Sequence, residues 1–203
     1  MIAIVDYGVG NLFSLLCSLR HIGAEAEVTR EADRIRAADR VILPGVGAFA
    51  DAMDKLNATG LTDVVREEAE KKPLLGICLG MQMLFDKSFE YGEHAGLGLI
   101  PGQVEDLHRD LDDASLKVPH MGWNSLELSR DDPILRYTRA GEYVYYVHSF
   151  YAKDCAESTL AVSRYGNVAV TGMVRRGNVY GTQFHPEKSG NVGLRILRAF
   201  AEL

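Results

Sequence analysis

The stretch Pro73-Leu74-Leu75-Gly76-Ile77-Cys78-Leu79-Gly80-Met81-Gln82-Met83-Leu84-Phe85 decides how the rest of the chain is interpreted. Residues 73–77 form a short apolar run typical of a buried parallel strand, and residues 79–85 have helical spacing of apolar side chains. Cys78 is therefore predicted at a strand-to-helix turn, where Gly76 and Gly80 allow a sharp reversal and close packing. Cys78 would then project from the core at a helix N-terminus, which favours a thiolate and stabilises an oxyanion. The alternative interpretation is that Cys78 is a small buried core residue, but core packing alone would not require glycine at both positions 76 and 80.

A length of 203 residues suits one sizeable core and is short for two, so we expect a single domain spanning residues 1–203. The chain carries 22 Lys and Arg against 28 Asp and Glu, a formal net charge of −6, with no basic cluster, so nucleic acid is not expected as a partner. No apolar run reaches the roughly 20 residues that a spanning helix needs, so no membrane partner is expected either.

The three cysteines, at positions 17, 78 and 155, are odd in number and widely spaced. This pattern argues against a disulfide framework or a zinc site and favours a reducing cytoplasm. Cys17 is predicted in the core, on the apolar face of a helix, and Cys155 in a loop. We expect neither a metal nor a cofactor.

Strands and helices alternate in the first half of the chain, which predicts a mostly parallel central sheet flanked by helices. The second half predicts additional antiparallel strands and a closing amphipathic helix at 191–202. Residues 88–98 are predicted as a polar loop, and residues 107–113 as a solvated excursion. The predicted strands are 2–5, 24–28, 40–43, 73–77, 102–107, 123–128, 142–147, 159–165, 168–174 and 179–184, and the other predicted helices are 11–22, 31–38, 49–58, 61–71 and 79–85.

A second loop, Gly45-Val46-Gly47, follows the third predicted strand, so it lies at the same edge of the sheet as Cys78. With little side chain at the two glycines, its backbone can approach a ligand and supply a second oxyanion donor beside the amide of Leu79. The glycines also permit more than one orientation of the Val46 peptide. A simple tight turn is the alternative interpretation.

A thiol nucleophile needs a histidine to accept its proton and a third group to orient that histidine. The sequence His185-Pro186-Glu187 offers both at the end of a predicted strand. Side chains at i and i+2 of an extended segment project to the same side, and Pro186 restricts the link between them. Taken alone the segment fits a surface turn; together with the Cys78 turn it predicts a Cys-His-Glu triad.

Three motifs resemble those of class I (triad) glutamine amidotransferases, a family with a flavodoxin-like fold. They are Pro44-Gly45-Val46-Gly47, Gly76-Ile77-Cys78-Leu79-Gly80-Met81-Gln82 and His185-Pro186-Glu187. Four further segments are similar to the glutaminase subunits of imidazole glycerol phosphate synthases. They are Asp6-Tyr7-Gly8-Val9-Gly10-Asn11-Leu12, Pro119-His120-Met121-Gly122-Trp123-Asn124, Tyr146-Val147-His148-Ser149-Phe150 and His185-Pro186-Glu187-Lys188-Ser189-Gly190.

The resemblance implies a reaction and roles for individual residues. Cys78 would attack the side-chain amide of glutamine, His185 would pass a proton to the departing ammonia, and Glu187 would orient His185. The oxyanion would be held at Gly45, Val46, Gly47 and Leu79. The expected contacts to the glutamine α-amino and carboxylate groups are Gln82, Glu90 and the backbone around His148, Ser149 and Phe150.

The resemblance also implies a heterodimer with a (β/α)₈-barrel cyclase that uses the ammonia in histidine biosynthesis. Trp123, Tyr145 and Lys188 match positions on the docking face, although Trp123 and Tyr145 would also suit an ordinary core and Lys188 a solvated surface. Two rival functions stay open. One is the glutaminase subunit of another ammonia-channelling synthase, such as pyridoxal phosphate synthase, and the other is a non-catalytic regulatory protein of the same fold.

Overall fold

The first half of the chain alternates strands with helices in the computed structural model, which describes residues 1–203. The elements are β1 (Ile2–Val5), α1 (Leu12–His21), β2 (Ala26–Thr29), α2 (Ala32–Ala37), β3 (Arg40–Gly45), α3 (Phe49–Ala58), α4 (Leu61–Lys71), β4 (Leu74–Cys78) and α5 (Leu79–Met83). Local signals explain several boundaries. The Asn11 side chain accepts a hydrogen bond from the Ser14 N–H and so caps α1. Gly23, with φ of 77°, follows its end.

The second half consists mainly of short strands. They are β5 (Phe85–Ser88), β6 (His94–Ala95), β7 (Ile100–Asp106), β8 (His120–Ser125), β9 (Glu127–Leu128), β10 (Tyr143–His148), β11 (Phe150–Lys153), β12 (Thr159–Tyr165), β13 (Val168–Arg176) and β14 (Val179–Thr182), with α6 (Leu107–Asp110) and the C-terminal helix α7 (Gly190–Ala201). Three short 3₁₀ turns complete the chain, and one of them, Pro186–Lys188, lies at the predicted triad.

The central sheet has eight strands in the order β2-β1-β3-β4-β14-β13-β12-β9. The five strands from β2 to β14 are parallel, and the remaining pairs are antiparallel. The prediction of a mostly parallel α/β sheet with antiparallel additions is confirmed. Register places Gly45 opposite Cys78, and Thr182 opposite Ile77. The carboxyl ends of β3, β4 and β14 therefore meet at one edge, where ligands bind in such sheets.

Successive residues of each central strand point to opposite faces, so the sheet separates two apolar layers. In β3, Val41 and Leu43 pack in the layer covered by α2, α3 and α4. Ile42 packs in the other layer, against α1, α7 and β10. Central strands buried on both faces explain the continuous apolar runs that the sequence shows there.

Several sequence expectations in the second half are wrong in detail. The helix after Cys78 ends at Met83, because Phe85 already begins β5. The predicted loop at 88–98 includes β6, and β11 was not predicted at all. The segment 107–113 is not simply solvated. Leu107 is fully buried, and Asp110 accepts hydrogen bonds from Tyr151 and Lys153.

The two cysteines outside the Cys78 turn also differ from expectation. Cys17 is exposed on α1, because Leu15 and Leu19 form the buried side of that helix. Cys155 lies in a loop, as predicted, but is buried, with Sγ near the hydroxyls of Thr159 and Thr171. None of the helices combines the length and the apolar character that crossing a membrane requires.

Candidate active site

Cys78 is the last residue of β4 and immediately precedes α5. Its backbone has φ of 54° and ψ of −111°, a conformation that non-glycine residues rarely adopt. Such strain persists only where the surrounding structure holds it, and it is concentrated at functional sites. The side chain is 7% exposed, so its sulfur faces an enclosed space.

Three glycines hold this turn by backbone-to-backbone packing. A Cβ added to Gly80 would lie 2.0 Å from the Leu43 carbonyl oxygen, and one added to Gly76 would lie 2.7 Å from the Gly80 oxygen. A Cβ on Gly45 would lie 2.5 Å from the Gly80 nitrogen. Contacts this close leave no room for any side chain, which explains the Gly-x-Cys-x-Gly spacing.

The loop after β3 is less free than the sequence suggested. Gly45 is locked against α5, and the Tyr7 hydroxyl donates a 2.6 Å hydrogen bond to the Pro44 carbonyl. Only Gly47 has a positive φ, 97°, with open space around its Cα. Any reorientation of the Val46 peptide therefore has to be absorbed on the Gly47 side.

His185 and Glu187 are in contact, with His185 Nδ1 2.8 Å from Glu187 Oε1. The side chains are only 2% and 4% exposed. The local geometry differs from the expectation, because β14 ends at Thr182 and a 3₁₀ turn, Pro186–Lys188, brings the carboxylate back to the ring. The two residues thus meet through a turn and not along an extended segment.

The environment of His185 favours its charged form. Burial lowers its pKa, but hydrogen bonds to Cys78 and Glu187 outweigh this effect and raise the pKa to about 9. An imidazolium beside the Cys78 sulfur is therefore favoured at neutral pH. This pairing is characteristic of cysteine nucleophiles that react as thiolates.

The backbone of His185 is fixed against β10. Its N–H donates to the Tyr145 carbonyl at 3.0 Å, and its carbonyl accepts from the Ser189 hydroxyl at 2.6 Å. The same hydroxyl accepts from the Tyr145 N–H at 2.9 Å. Ser189 is 1% exposed, so these bonds are shielded from water and hold the imidazole in register with the sulfur.

A cavity of about 390 Å³ opens beside Cys78 and has the size of a small-ligand site. Its lining contains eleven of the fifteen residues predicted from sequence: Val46, Gly47, Cys78, Leu79, Gln82, Glu90, His148, Ser149, Phe150, His185 and Lys188, together with Tyr91, Pro119 and Val147. The other four, Gly45, Trp123, Tyr145 and Glu187, do not line it. A larger depression, about 620 Å³, lies around Cys155, but no histidine lines it. The smaller cavity is therefore the candidate active site.

Gln82 and Glu90 reach the cavity with part of their polar groups already engaged. The Gln82 amide nitrogen donates to the Phe150 carbonyl at 2.8 Å and to Gln183 Oε1 at 3.1 Å. Only its oxygen is left to accept from a ligand. Glu90 Oε2 accepts from the Phe49 N–H at the start of α3. Burial raises the pKa of Glu90, and the Phe49 hydrogen bond opposes that shift.

The opposite wall is the turn between β10 and β11, which carries His148, Ser149 and Phe150. His148 Nδ1 lies 2.9 Å from the Phe150 carbonyl oxygen, and its Nε2 lies 2.9 Å from His120 Nδ1. Sequence reasoning did not assign His120 or Gln183 to the site. His120 belongs to the quoted segment 119–124, and Gln183 was only part of the predicted strand 179–184.

Trp123 and Tyr145 are opposite residues of the paired strands β8 and β10, and Lys188 belongs to the 3₁₀ turn that carries Glu187. Trp123 is 56% exposed, so it is not a core residue, and its ring meets Tyr145 edge-on at 6.0 Å. Lys188 is exposed and lines the cavity. Met121, on the same face of β8 as Trp123, is 61% exposed. No group of three or more His, Cys, Asp or Glu side chains is arranged to hold a metal ion.

Known structures share this fold. The chain superimposes with a TM-score of 0.75 on a crystal structure of a glutamine amidotransferase, at 22% identity over 100% of both chains. It matches a PurLQS structure from Thermotoga maritima equally well, at 20% identity over 99% of this chain and 97% of the other.

Sequence comparison identifies the family. The model of the class-I glutamine amidotransferase family matches residues 3–202. The imidazole glycerol phosphate synthase subunit HisH of Bacillus cereus is 50% identical over 98% of this chain and 93% of its own length. HisH of Wolinella succinogenes is 48% identical over 100% of both. This chain therefore belongs to the class I glutamine amidotransferases and, among them, to the HisH subunits of imidazole glycerol phosphate synthase.

Proposed function

We propose that this chain hydrolyses glutamine through a Cys78-His185-Glu187 triad and passes the ammonia to a cyclase subunit in histidine biosynthesis. The observation that carries the proposal is the cavity beside Cys78. It joins a cysteine in a strained turn to a buried histidine whose pKa is raised to about 9, with Glu187 2.8 Å from the ring. Membership of the HisH family supports the pathway.

In the first half of the reaction the Cys78 sulfur attacks the amide carbon of glutamine, and a C–S bond forms. The carbonyl oxygen becomes an oxyanion, for which the N–H of Leu79 and the loop Gly45-Val46-Gly47 are the proposed donors. The C–N bond then breaks as His185 transfers its proton to the leaving nitrogen. The products are ammonia and a thioester.

In the second half a water molecule attacks the thioester carbon, and His185 removes a proton from it. The C–S bond breaks, glutamate leaves, and the Cys78 sulfur regains its starting state. Glu187 keeps the imidazole oriented through both halves and stabilises its positive charge. Neither half requires a metal ion or a redox change.

In this proposal the amide end of glutamine lies at Cys78, and the α-ammonium and α-carboxylate, which share one carbon, are bound by different groups at the other end of the cavity. Glu90 accepts from the α-ammonium, with the Gln82 oxygen as a second acceptor. Backbone groups around His148, Ser149 and Phe150 lie against the α-carboxylate. The half-buried Glu90 strengthens such a contact, because a charge pair is less screened where water is excluded.

The proposed partner is a (β/α)₈-barrel cyclase, forming a heterodimer in the cytoplasm. Ammonia released into water is mostly protonated and lost as a nucleophile, so enclosure between subunits protects it. The exposed Trp123 and the partly buried Tyr145 packed against it, with Lys188 beside the cavity mouth, form the proposed docking face.

Glutamate production by the purified chain, alone and with its cyclase and the cyclase nucleotide, tests the proposal. We expect the complex to hydrolyse glutamine and Cys78→Ser to abolish this, while the exposed Cys17→Ser control retains it. Activation by a pyridoxal phosphate synthase barrel would favour the first rival function. No hydrolysis with either partner would favour the non-catalytic one.

A further inference from the structure

A continuous series of six hydrogen bonds, three of them buried and three partly buried, connects β8 with the Cys78 sulfur. It begins at Asn124, whose Nδ2 lies 3.3 Å from His120 Nε2, and crosses from His120 Nδ1 to His148 Nε2 over 2.9 Å. His148 Nδ1 lies 2.9 Å from the Phe150 carbonyl oxygen. Gln82 Nε2 is 2.8 Å from the same oxygen. Phe150 and Gln82 both line the cavity, so these hydrogen bonds extend from β8 to the cavity wall.

The second part of the series runs from the wall to the nucleophile. Gln82 Nε2 donates to Gln183 Oε1 at 3.1 Å, and Gln183 Nε2 lies 3.8 Å from Cys78 Sγ. Gln183 is fully buried and Gln82 is 5% exposed. Water therefore does not compete for these amides.

The Phe150 carbonyl fixes the direction of every bond, because a carbonyl oxygen only accepts. His148 must carry its proton on Nδ1, which leaves Nε2 as an acceptor and makes His120 Nδ1 a donor. His120 Nε2 then accepts from Asn124. On the other branch, Gln82 must turn its nitrogen to Phe150 and Gln183, so the nitrogen of Gln183 faces the sulfur.

Burial supports this single arrangement of protons. It lowers the pKa of His120 to about 4 and is the largest cause that lowers the pKa of His148 to about 3, so both rings are neutral near pH 7. His120 is also held between the rings of Tyr146 and Tyr165. At the β8 end of the series, both polar atoms of the Asn124 side chain have further partners. Its Nδ2 also donates to the Arg164 carbonyl, and its Oδ1 accepts from the Ser125 N–H.

We propose that Gln183 is a hydrogen-bond donor to the Cys78 thiolate, that Gln82 is a positioning residue that keeps this donor turned toward the sulfur, and that His148 and His120 position the Phe150 carbonyl that accepts from Gln82. The inference rests on the proposed function in taking Cys78 as the nucleophile. A hydrogen bond to an ionised group is stronger than one to a neutral group, so this donor stabilises the reactive form of the sulfur.

The hydrogen bond from Gln183 to Cys78 is tested by alkylating Cys78 with iodoacetamide in the full-length chain and quantifying the product by peptide mass spectrometry. We expect Gln183→Met to slow alkylation at pH 7 by about tenfold, the equivalent of one charge-assisted hydrogen bond. The difference should shrink as the pH rises, because removing a donor to the thiolate matters most where the thiol can be protonated. The control is Thr182→Val, because Thr182 is equally buried beside Gln183 and its hydroxyl has no partner.

Gln183→Glu provides a second variant that keeps the acceptor for Gln82, and it should slow alkylation at pH 7 as well. The ionisable residues that line the cavity besides Cys78 are unchanged in both variants; they are Glu90, Tyr91, His148, His185 and Lys188. Wild-type alkylation at pH 7 in either folded variant would overturn the role of Gln183. A deficit that does not shrink as the pH rises, or one of equal size in Thr182→Val, would indicate distorted packing and would overturn it too.

The role of His120 is tested by His120→Phe, which keeps the aromatic stacking and removes the hydrogen bonds to His148 and Asn124. We expect it to slow Cys78 alkylation at pH 7, whereas Tyr165→Phe, which removes a hydroxyl bonded to the Lys117 carbonyl outside the series, should not. Equal Cys78 alkylation rates in these two variants would overturn the positioning role of His120 and leave only the role of Gln183. Because alkylation needs no turnover, a failure of the proposed function would be seen separately, as glutamine hydrolysis surviving in Cys78→Ser.

Discussion

Replacing Glu187 with Gln should shift the titration of His185 without changing the shape of the site. The carboxylate oxygen lies 2.8 Å from His185 Nδ1, and the two side chains are 2% and 4% exposed. An amide oxygen at the same place still accepts the Nδ1–H bond. The substitution therefore removes the negative charge and retains the orientation.

The magnitude follows from the raised pKa of His185. That pKa is about 9 against an ordinary value of 6.5, and one pKa unit corresponds to about 1.4 kcal/mol, so the folded protein favours the imidazolium by about 3 kcal/mol. A hydrogen bond to a charged group contributes about 1.5–3 kcal/mol. Glu187→Gln should accordingly lower the pKa of His185 by about one to two units.

The raised pKa also links folding to pH. Since the folded-state pKa of His185 lies above the unfolded-state value, its stabilising contribution is fully present below pH 6.5 and is lost as the pH rises through 9. Wild-type protein should lose up to about 3 kcal/mol of unfolding free energy from this group over that interval. Glu187→Gln should lose less, and at lower pH.

Two measurements check this prediction: NMR titration of the imidazole nitrogens, with His185→Asn assigning the signal, and urea unfolding between pH 6 and 9.5. A wild-type midpoint at or below 6.5 would refute the electrostatic account of the site. An unchanged midpoint in Glu187→Gln would show that the carboxylate does not stabilise the imidazolium. Cys78→Ser should lower the midpoint as well, because the sulfur is the other hydrogen-bond partner.

Three further predictions concern folding and thiol access. Gly80→Ala should yield little folded protein, since its Cβ would lie 2.0 Å from the Leu43 oxygen, whereas Gly177→Ala, with open space at φ of 58°, should cost about 1 kcal/mol in urea unfolding. Thr182→Val should raise the unfolding free energy by about 1 kcal/mol, because a buried hydroxyl without a partner is removed. In native protein a thiol reagent should label exposed Cys17 quickly and buried Cys155 only after denaturation, and the reverse order would contradict the burial of these residues.

The parallel half of the fold could be predicted because its signals are local. Residues 49–58 and 61–71 were predicted as helices and are α3 and α4, since the apolar spacing and the separating Gly60 act within a few residues. The second half was predicted less well. β11 follows β10 after the single residue Ser149, and no turn signal marks the change of partner from β8 to β7.

The candidate site shows the same difference between local and long-range contacts. The Gly-x-Cys-x-Gly turn and the His185–Glu187 pair involve residues two positions apart, so their geometry is encoded where the motif is. Gln82 and Gln183 are separated by 101 positions, and Cys78 and Gln183 by 105. Such pairs meet only because β14 lies beside β4 in the sheet order, a result of global packing.

This difference explains why sequence reasoning assigned Gln82 to the ligand alone. From the motif, a glutamine one turn after the nucleophile faces the cavity, and the structure places it there. The Gln82 nitrogen, however, already donates hydrogen bonds to the Phe150 carbonyl in β11 and to the Gln183 side chain after β14. No local sequence pattern reveals that these two segments lie close together. Groups that contact the substrate can thus be found from a motif. The groups that fix their orientation come from distant segments, and they become visible only when the strand order is known.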